Sequence, residues 1–171
     1  MELKSYLVDT FRYNDHANKL ALAKIRELPD AGECVRLFSH LILCMDKWLA
    51  RIEAEPEYWK LDWWTPVYPL EELEPAWDKC MARWMEFINA KSDGELEREV
   101  TWFNPDVQPR GTAGGSEKAD NFAASIRDIA LQLNYHSIHH RGQIQMLIRA
   151  QGVEPDFVDY IGTRYRRLDV R

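Results

Sequence analysis

His136-Ser137-Ile138-His139-His140-Arg141-Gly142-Gln143 holds three of the five histidines in this 171-residue chain, and the residues on either side decide how it folds. Counted from Phe122, inward positions recur at Ile126, Ile129, Leu133, His136, His140, Gln143 and Leu147, in steps that alternate 4 and 3. That spacing predicts one helix from about Asp120 to Ala150 with a single stripe turned toward its neighbours. Gln151-Gly152 and Pro155 close it. Two imidazoles and an amide interrupt the stripe, and buried polar groups cost free energy unless something partners them. His136 and His140 stand one turn apart on one face, a spacing that lets both reach a single metal ion. His139 is rotated about 100° from His140 and faces sideways. Gly142, beside the stripe, predicts a close neighbour.

Three more helices are expected N-terminal to this one. The first runs from Glu2 to about Leu28, with Leu3, Leu7, Thr10, Tyr13, Ala17, Leu20 and Ala21 inward, and His16 borders that face as either a packed core residue or a ligand. The second runs from about Glu33 to Glu55, with Leu37, Leu41, Cys44, Met45, Trp48, Leu49 and Ile52 inward; His40 falls on the same face. The third spans about Leu70 to Ala90, with Leu73, Trp77, Cys80, Met81, Trp84, Phe87 and Ile88 inward. Between the second and third, Tyr58, Trp59, Trp63, Trp64 and Tyr68 form an aromatic connection, either a cover for the core or the rim of a pocket. REVTWFN at 98–104 alternates as a short extended segment would, and 104–116 reads as a flexible Pro- and Gly-rich loop. Residues 156–167 suggest a short final helix with Phe157, Tyr160 and Ile161 inward. The expected fold is therefore all-α: a single-domain four-helix bundle with a short C-terminal helix.

Composition narrows the function. No apolar run approaches the roughly 18 residues that span a bilayer, and the charged N-terminal stretch does not resemble a secretory signal, so a cytoplasmic protein is expected. A net charge of -6 offers no general footprint for nucleic acid, and the arginines at 164, 166, 167 and 171 suit solvent or a dimer contact better than DNA. Cys34, Cys44 and Cys80 have no CxxC or other evident ligand spacing and read as reduced thiols. The chemistry therefore falls to the histidines. His40, His136 and His140 each offer a lone pair suited to zinc, nickel, iron or manganese. Three protein ligands leave room for water and substrate, as in catalytic rather than structural zinc. Such an ion lowers the pKa of bound water toward 7.

The early Tyr13-Asn14-Asp15-His16-Ala17-Asn18, the single His40 ahead of Trp48-Leu49-Ala50-Arg51-Ile52, and the closing HSIHHRGQI together resemble the DinB superfamily, which includes YfiT-like proteins and thiol-dependent transferases. The resemblance implies an up-down-down-up bundle, frequent homodimers, and a divalent metal on His40, His136 and His140. It implies no single reaction: relatives conjugate or isomerise substrates with low-molecular-weight thiols. This chain departs from the pattern at His16, where the family often has tryptophan, at Gln132, often histidine, and at Tyr135, often asparagine. These three, with Gln143, are the candidate second-shell or pocket residues. Two functional expectations follow: a metal-dependent transferase or hydrolase acting on a small molecule, or a non-enzymatic metal-binding stress-response dimer. A metal-free bundle with internally bonded histidines is the remaining reading.

Overall fold

The structure, a computed structural model, describes residues 2–103 and 122–165. It is mostly helical: α1 (Leu3–Ile25), α2 (Gly32–Ile52), α3 (Leu73–Asn89), α4 (Asp93–Leu96) and α5 (Ile126–Ala150), with strands β1 (Glu99–Trp102) and β2 (Phe122–Ser125). The expected loop at 104–116 and the arginines at 166, 167 and 171 lie outside the described residues. Among the described residues no helix is long and apolar enough to cross a membrane.

α1 packs chiefly against α5 and α3, and α2 chiefly against the same two. Consecutive α1 and α2 therefore touch little, and α2 faces α5, which brings His40 to the histidine stripe. The core between the helices is aromatic and aliphatic. Trp77, Trp84, Phe11 and Phe38 are fully buried. The indoles find polar partners, as buried indoles need: Trp84 Nε1 donates to the Met45 carbonyl at 3.0 Å and Trp77 Nε1 to Asp15 Oδ1 at 2.9 Å.

Several ends differ from expectation, each for a local reason. α5 begins at Ile126, six residues later than the spacing predicts, because Ser125 caps it and accepts from Asp128 N at 3.0 Å. Phe122 is thus not on the helix; it pairs with Trp102 in an antiparallel two-stranded sheet that an all-helical reading leaves out. Of the extended reading of 98–104, Glu99–Trp102 forms β1 and residue 104 lies outside the described residues. α1 has no cap of its own, and Asp93 of the short α4 supplies one, its carboxylate accepting from Leu3 N and Lys4 N at 2.9 Å each.

The inward face of α1 keeps the predicted Leu7, Ala17 and Ala21 but is turned partly away from the rest of the predicted strip. Phe11, Asn14, Asn18, Leu22 and Ile25 are buried, while Thr10, Tyr13 and Leu20 are half-buried. His16, two residues from both Asn14 and Asn18, is rotated about 200° from them and lies exposed. Gly142 is exposed and a side chain there would meet nothing within 4 Å, so among the described residues the expected close neighbour is absent. Among the described residues no final α-helix forms from 156 to 165. Only Tyr160–Thr163 makes a 3-10 turn, and Phe157 and Ile161 are exposed rather than inward. The segment is instead tied back to α1 by Tyr13 Oη donating to the Val158 carbonyl at 2.8 Å.

Candidate metal centre

α2 contributes His40 and α5 contributes His136 and His140, and the three rings converge through the same ring nitrogen. His136 Nε2 stands 3.2 Å from His40 Nε2 and 3.0 Å from His140 Nε2. His40 and His140 are buried and His136 is half-buried. The outward nitrogens are fixed from behind. His40 Nδ1 lies 2.6 Å from the Trp63 carbonyl and His140 Nδ1 lies 2.7 Å from Gln143 Oε1. Oxygen acceptors at both Nδ1 atoms place the protons there, which leaves Nε2 of His40 and of His140 as bare lone pairs.

Both lone pairs point at His136 Nε2, which carries at most one proton. At least one contact is then lone pair against lone pair, unless a cation sits among the three. Nitrogens that share one zinc-sized ion stand roughly 2.9 to 3.4 Å apart in octahedral or tetrahedral arrangements. Both separations from His136 fall in that interval, as those of donors to one divalent ion would. Orienting carbonyl and amide oxygens behind the rings are the usual outer support of histidine ligands.

Cys44 joins this cluster. Its Sγ is 3.5 Å from His40 Nε2, and the donor atoms of His40, Cys44 and His136 all lie within 4.8 Å of one another. The sequence reading leaves it out by looking for spacings between cysteines; the informative one is His40-x3-Cys44, the same one-turn step as His136 to His140. Cys34 and Cys80 are buried elsewhere and, like Cys44, form no disulfide.

Burial dominates the electrostatics. It lowers His40, with Arg36 adding to the effect and the Trp63 carbonyl opposing it, and lowers His140, with Gln143 opposing. His136 falls to about 4, first through burial and then through the neighbouring imidazoles. All three rings are therefore neutral at pH 7 and able to donate. The Cys44 thiol is pushed up to about 12 by burial, against the pull of Lys47 and Arg51.

The aromatic connection is both cover and rim. Trp64 stacks on His40, ring centroids 3.7 Å apart and nearly parallel at 8°, and meets His140 edge-on. Asp62 Oδ1 holds that turn by accepting from Trp64 N at 2.7 Å and Thr65 N at 2.8 Å. Two buried cations of α2 pin the rest. Lys47 bonds the Leu61 carbonyl and lies over Trp63, and Arg51 lies over Trp48 and Trp63. Beside Trp64 opens a groove of about 430 Å³ lined by Glu33, Arg36, Trp64, His140, Gln143 and Met146 among others.

The remaining candidates fall elsewhere. His16 is on the exposed side of α1, and Gln132 is exposed one turn before His136. Tyr135 lines a different cavity of about 460 Å³ between α1, α5 and the Val158–Tyr160 strap. His139 is exposed, as its rotation requires. Behind the site, α5 is joined to α1 by a buried polar junction. Arg141 donates to Asn14 Oδ1 and Asn18 Oδ1, both at 3.2 Å, and Asn18 Nδ2 donates to Ser137 Oγ at 2.7 Å.

No curated protein and no solved structure matches the chain. A family model described as the DinB superfamily matches residues 18–144, a span that runs from the α1 junction through all three converging histidines to Gln143 and covers most of the sequence. With that match, the chain belongs to the DinB superfamily.

Proposed function

We propose that this DinB protein binds a divalent ion, zinc or nickel foremost, through His40, His136 and His140, and that it acts as a metal-dependent transferase or hydrolase on a small electrophile or thiol adduct. The observation that carries the reading is the convergence of three neutral imidazoles, two with their free lone pairs set by oxygen acceptors behind them. When bound, the ion supplies Lewis acidity at neutral pH.

The chain's own groups would do the rest. Trp63 and Gln143 hold two rings in the donating tautomer. Trp64 shields the His40 side from water and leaves the groove at His140 as the entrance. That groove, about 430 Å³, is of the size that holds small molecules. At its mouth Arg36 is bound to Glu33 by two contacts of 2.8 and 2.6 Å, a pair that a charged substrate would have to reorganise. We extend the reading to the family's up-down-down-up bundle and to a homodimer, which would cover the exposed Tyr135 and Ile138.

Elemental mass spectrometry of untagged protein from metal-replete medium tests the site. Near-stoichiometric zinc or nickel, lost in His136→Ala, is expected; metal-free wild type would overturn the proposal. A turnover screen over thiols and electrophiles tests the activity, and metal-loaded protein inert across the screen would count against the enzyme. Light scattering tests the dimer, which a mass near 20.1 kDa would exclude.

A further inference from the structure

We infer that the cavity between α1, α5 and the Val158–Tyr160 strap is a second small-molecule site, one that takes a small carboxylate with an aromatic body. None of the three converging histidines lines it, so the inference does not depend on the metal reading.

The cavity measures about 460 Å³, within the range of sites that hold small molecules. Its walls gather aromatic rings from three elements: Tyr6 and Tyr13 of α1, Tyr135 of α5 and Tyr160 of the strap. Tyr13 meets Tyr160 edge-on, ring centroids 5.2 Å apart. Tyr6, Tyr135 and Tyr160 are all left exposed in part. A flat apolar ligand among them would take from water a ring surface that folding alone leaves wet.

One part of the wall is polar and charged. Tyr13, Asn14 and Arg141 all line the cavity, and they meet one another there. Arg141 Nη1 donates to Asn14 Oδ1 at 3.2 Å, and its Cζ stands 5.6 Å from the Tyr13 ring centroid. The guanidinium therefore belongs to the wall, in a residue that is only 3% exposed. Its neighbours are neutral: the amides of Asn14 and Asn18 and the phenol of Tyr13. Among the described residues no carboxylate lies within ion-pair distance of it. Asp159, the acid on the cavity wall, is exposed and does not pair with it.

Burial works against the charge, yet an arginine does not give up its proton. A buried cation held by neutral groups alone is the place where an anion gains most. Nη1 directs its two hydrogens at Asn14 and Asn18, which leaves those on Nε and Nη2 for a further acceptor. Among the described residues Arg141 is the sole cation lining the cavity, and one planar guanidinium matches a singly charged, planar carboxylate.

Naphthoate is the probe, and naphthamide, the same rings without the charge, is its control. Isothermal titration calorimetry of the full-length protein is expected to give one naphthoate per chain. Naphthamide should bind about 10- to 100-fold more weakly, the loss of a hydrogen bond between charges. Gly142→Trp tests the place. A side chain at Gly142 meets nothing within 4 Å, so the variant should fold, and the residue lines the cavity. It is expected to abolish naphthoate binding while keeping whatever metal the wild type carries. Undiminished binding in Gly142→Trp, equal affinity for naphthamide, or no naphthoate binding up to its solubility would each overturn the inference. So would a dimer in light scattering that takes up no naphthoate, since a second copy would then cover the cavity. Should Gly142→Trp fail to fold, amide NMR shifts of the wild type decide. Shifts at Tyr135, Ile138 and Tyr160 on adding naphthoate support the inference, and shifts confined to Arg36, Trp64 and Gln143 place the probe in the groove at His140 and overturn it.

Discussion

Gln143 is exposed, yet its amide oxygen sits 2.7 Å from His140 Nδ1 and holds the ring's proton on the side away from the site. Gln143→Leu removes that acceptor, and metal affinity is expected to fall about 10- to 100-fold, the usual cost of an outer-shell partner. Competition with a chromophoric chelator measures it; unchanged affinity would mean the tautomer is held by other means. His16→Ala, by contrast, should leave both affinity and stability alone, the latter to within about 0.5 kcal/mol, as for ordinary surface positions. The histidines themselves make the metal-free protein sensitive to acid. Unfolded, they take up protons near the ordinary 6.5; folded, they do so only at lower pH, His136 near 4. Protonation therefore favours the unfolded chain. Full stability is expected above about pH 6.5, with progressive loss toward about pH 4. Melting temperatures of metal-free wild type and His136→Leu from pH 8 to 4 check this, and identical profiles would refute it. The His pair and His40 are legible in sequence as histidines one turn apart and a single histidine on the apolar face of another helix, although the 4-3 stripe misses that α5 buries Ser137, Arg141, Ile144 and Ile148 and leaves Gln143 exposed. Cys44 is hard to see because a cluster drawn from two residue types has no single-residue signature. His16 misleads because α1 buries two asparagines, and an apolar count cannot see a polar inward strip.

The helices are bounded by contacts from different distances along the chain. Ser125 caps α5 from next door, and Ser125→Ala should cost about 1 kcal/mol. Asp93 caps α1 from 90 residues away, accepting from two backbone amides, so Asp93→Ala is expected to cost about 1 to 2 kcal/mol and to fray the first turn of α1. Urea midpoints give the energies. Hydrogen exchange at the first turn of α1 tells loss of the cap from general destabilisation, and unaltered exchange there would argue against the cap. The same difference in range explains which boundaries are legible. Helix interiors repeat their own period, so α2 and α3 fall close to where the pattern puts them. The start of α5 depends on 122–125 pairing with 99–102, a non-local choice between strand and helix that periodicity alone does not make.

Across the whole molecule, the metal reading has a thermal consequence. An ion that binds only the folded chain adds about 2.7 kcal/mol at a free concentration 100 times its dissociation constant. For a protein of this size that raises the melting temperature by about 5 to 10 °C. Chelation should reverse the rise, and equal melting with and without zinc would speak against a folded-state site. That α2 lies across from α5, and that the 58–68 connection folds over both, are facts about long-range packing that no local pattern encodes. The aromatic content of that connection shows only that something must lie beneath it.

The Asn14, Asn18, Ser137 and Arg141 junction has a mechanical role that its distance from the converging ring nitrogens conceals. Ser137 and Arg141 each directly follow a site histidine, so the bonds to α1 set the angle at which α5 sits about its own axis. Side-chain tips lie about 5 to 6 Å from a helix axis, so a twist of only about 10° would carry His136 and His140 sideways by about 1 Å. That is twice the error of about 0.5 Å that a preorganised site tolerates. The junction works as an alignment pin: the aim of the two imidazoles is set from the flank of the helix, about 100° round from them.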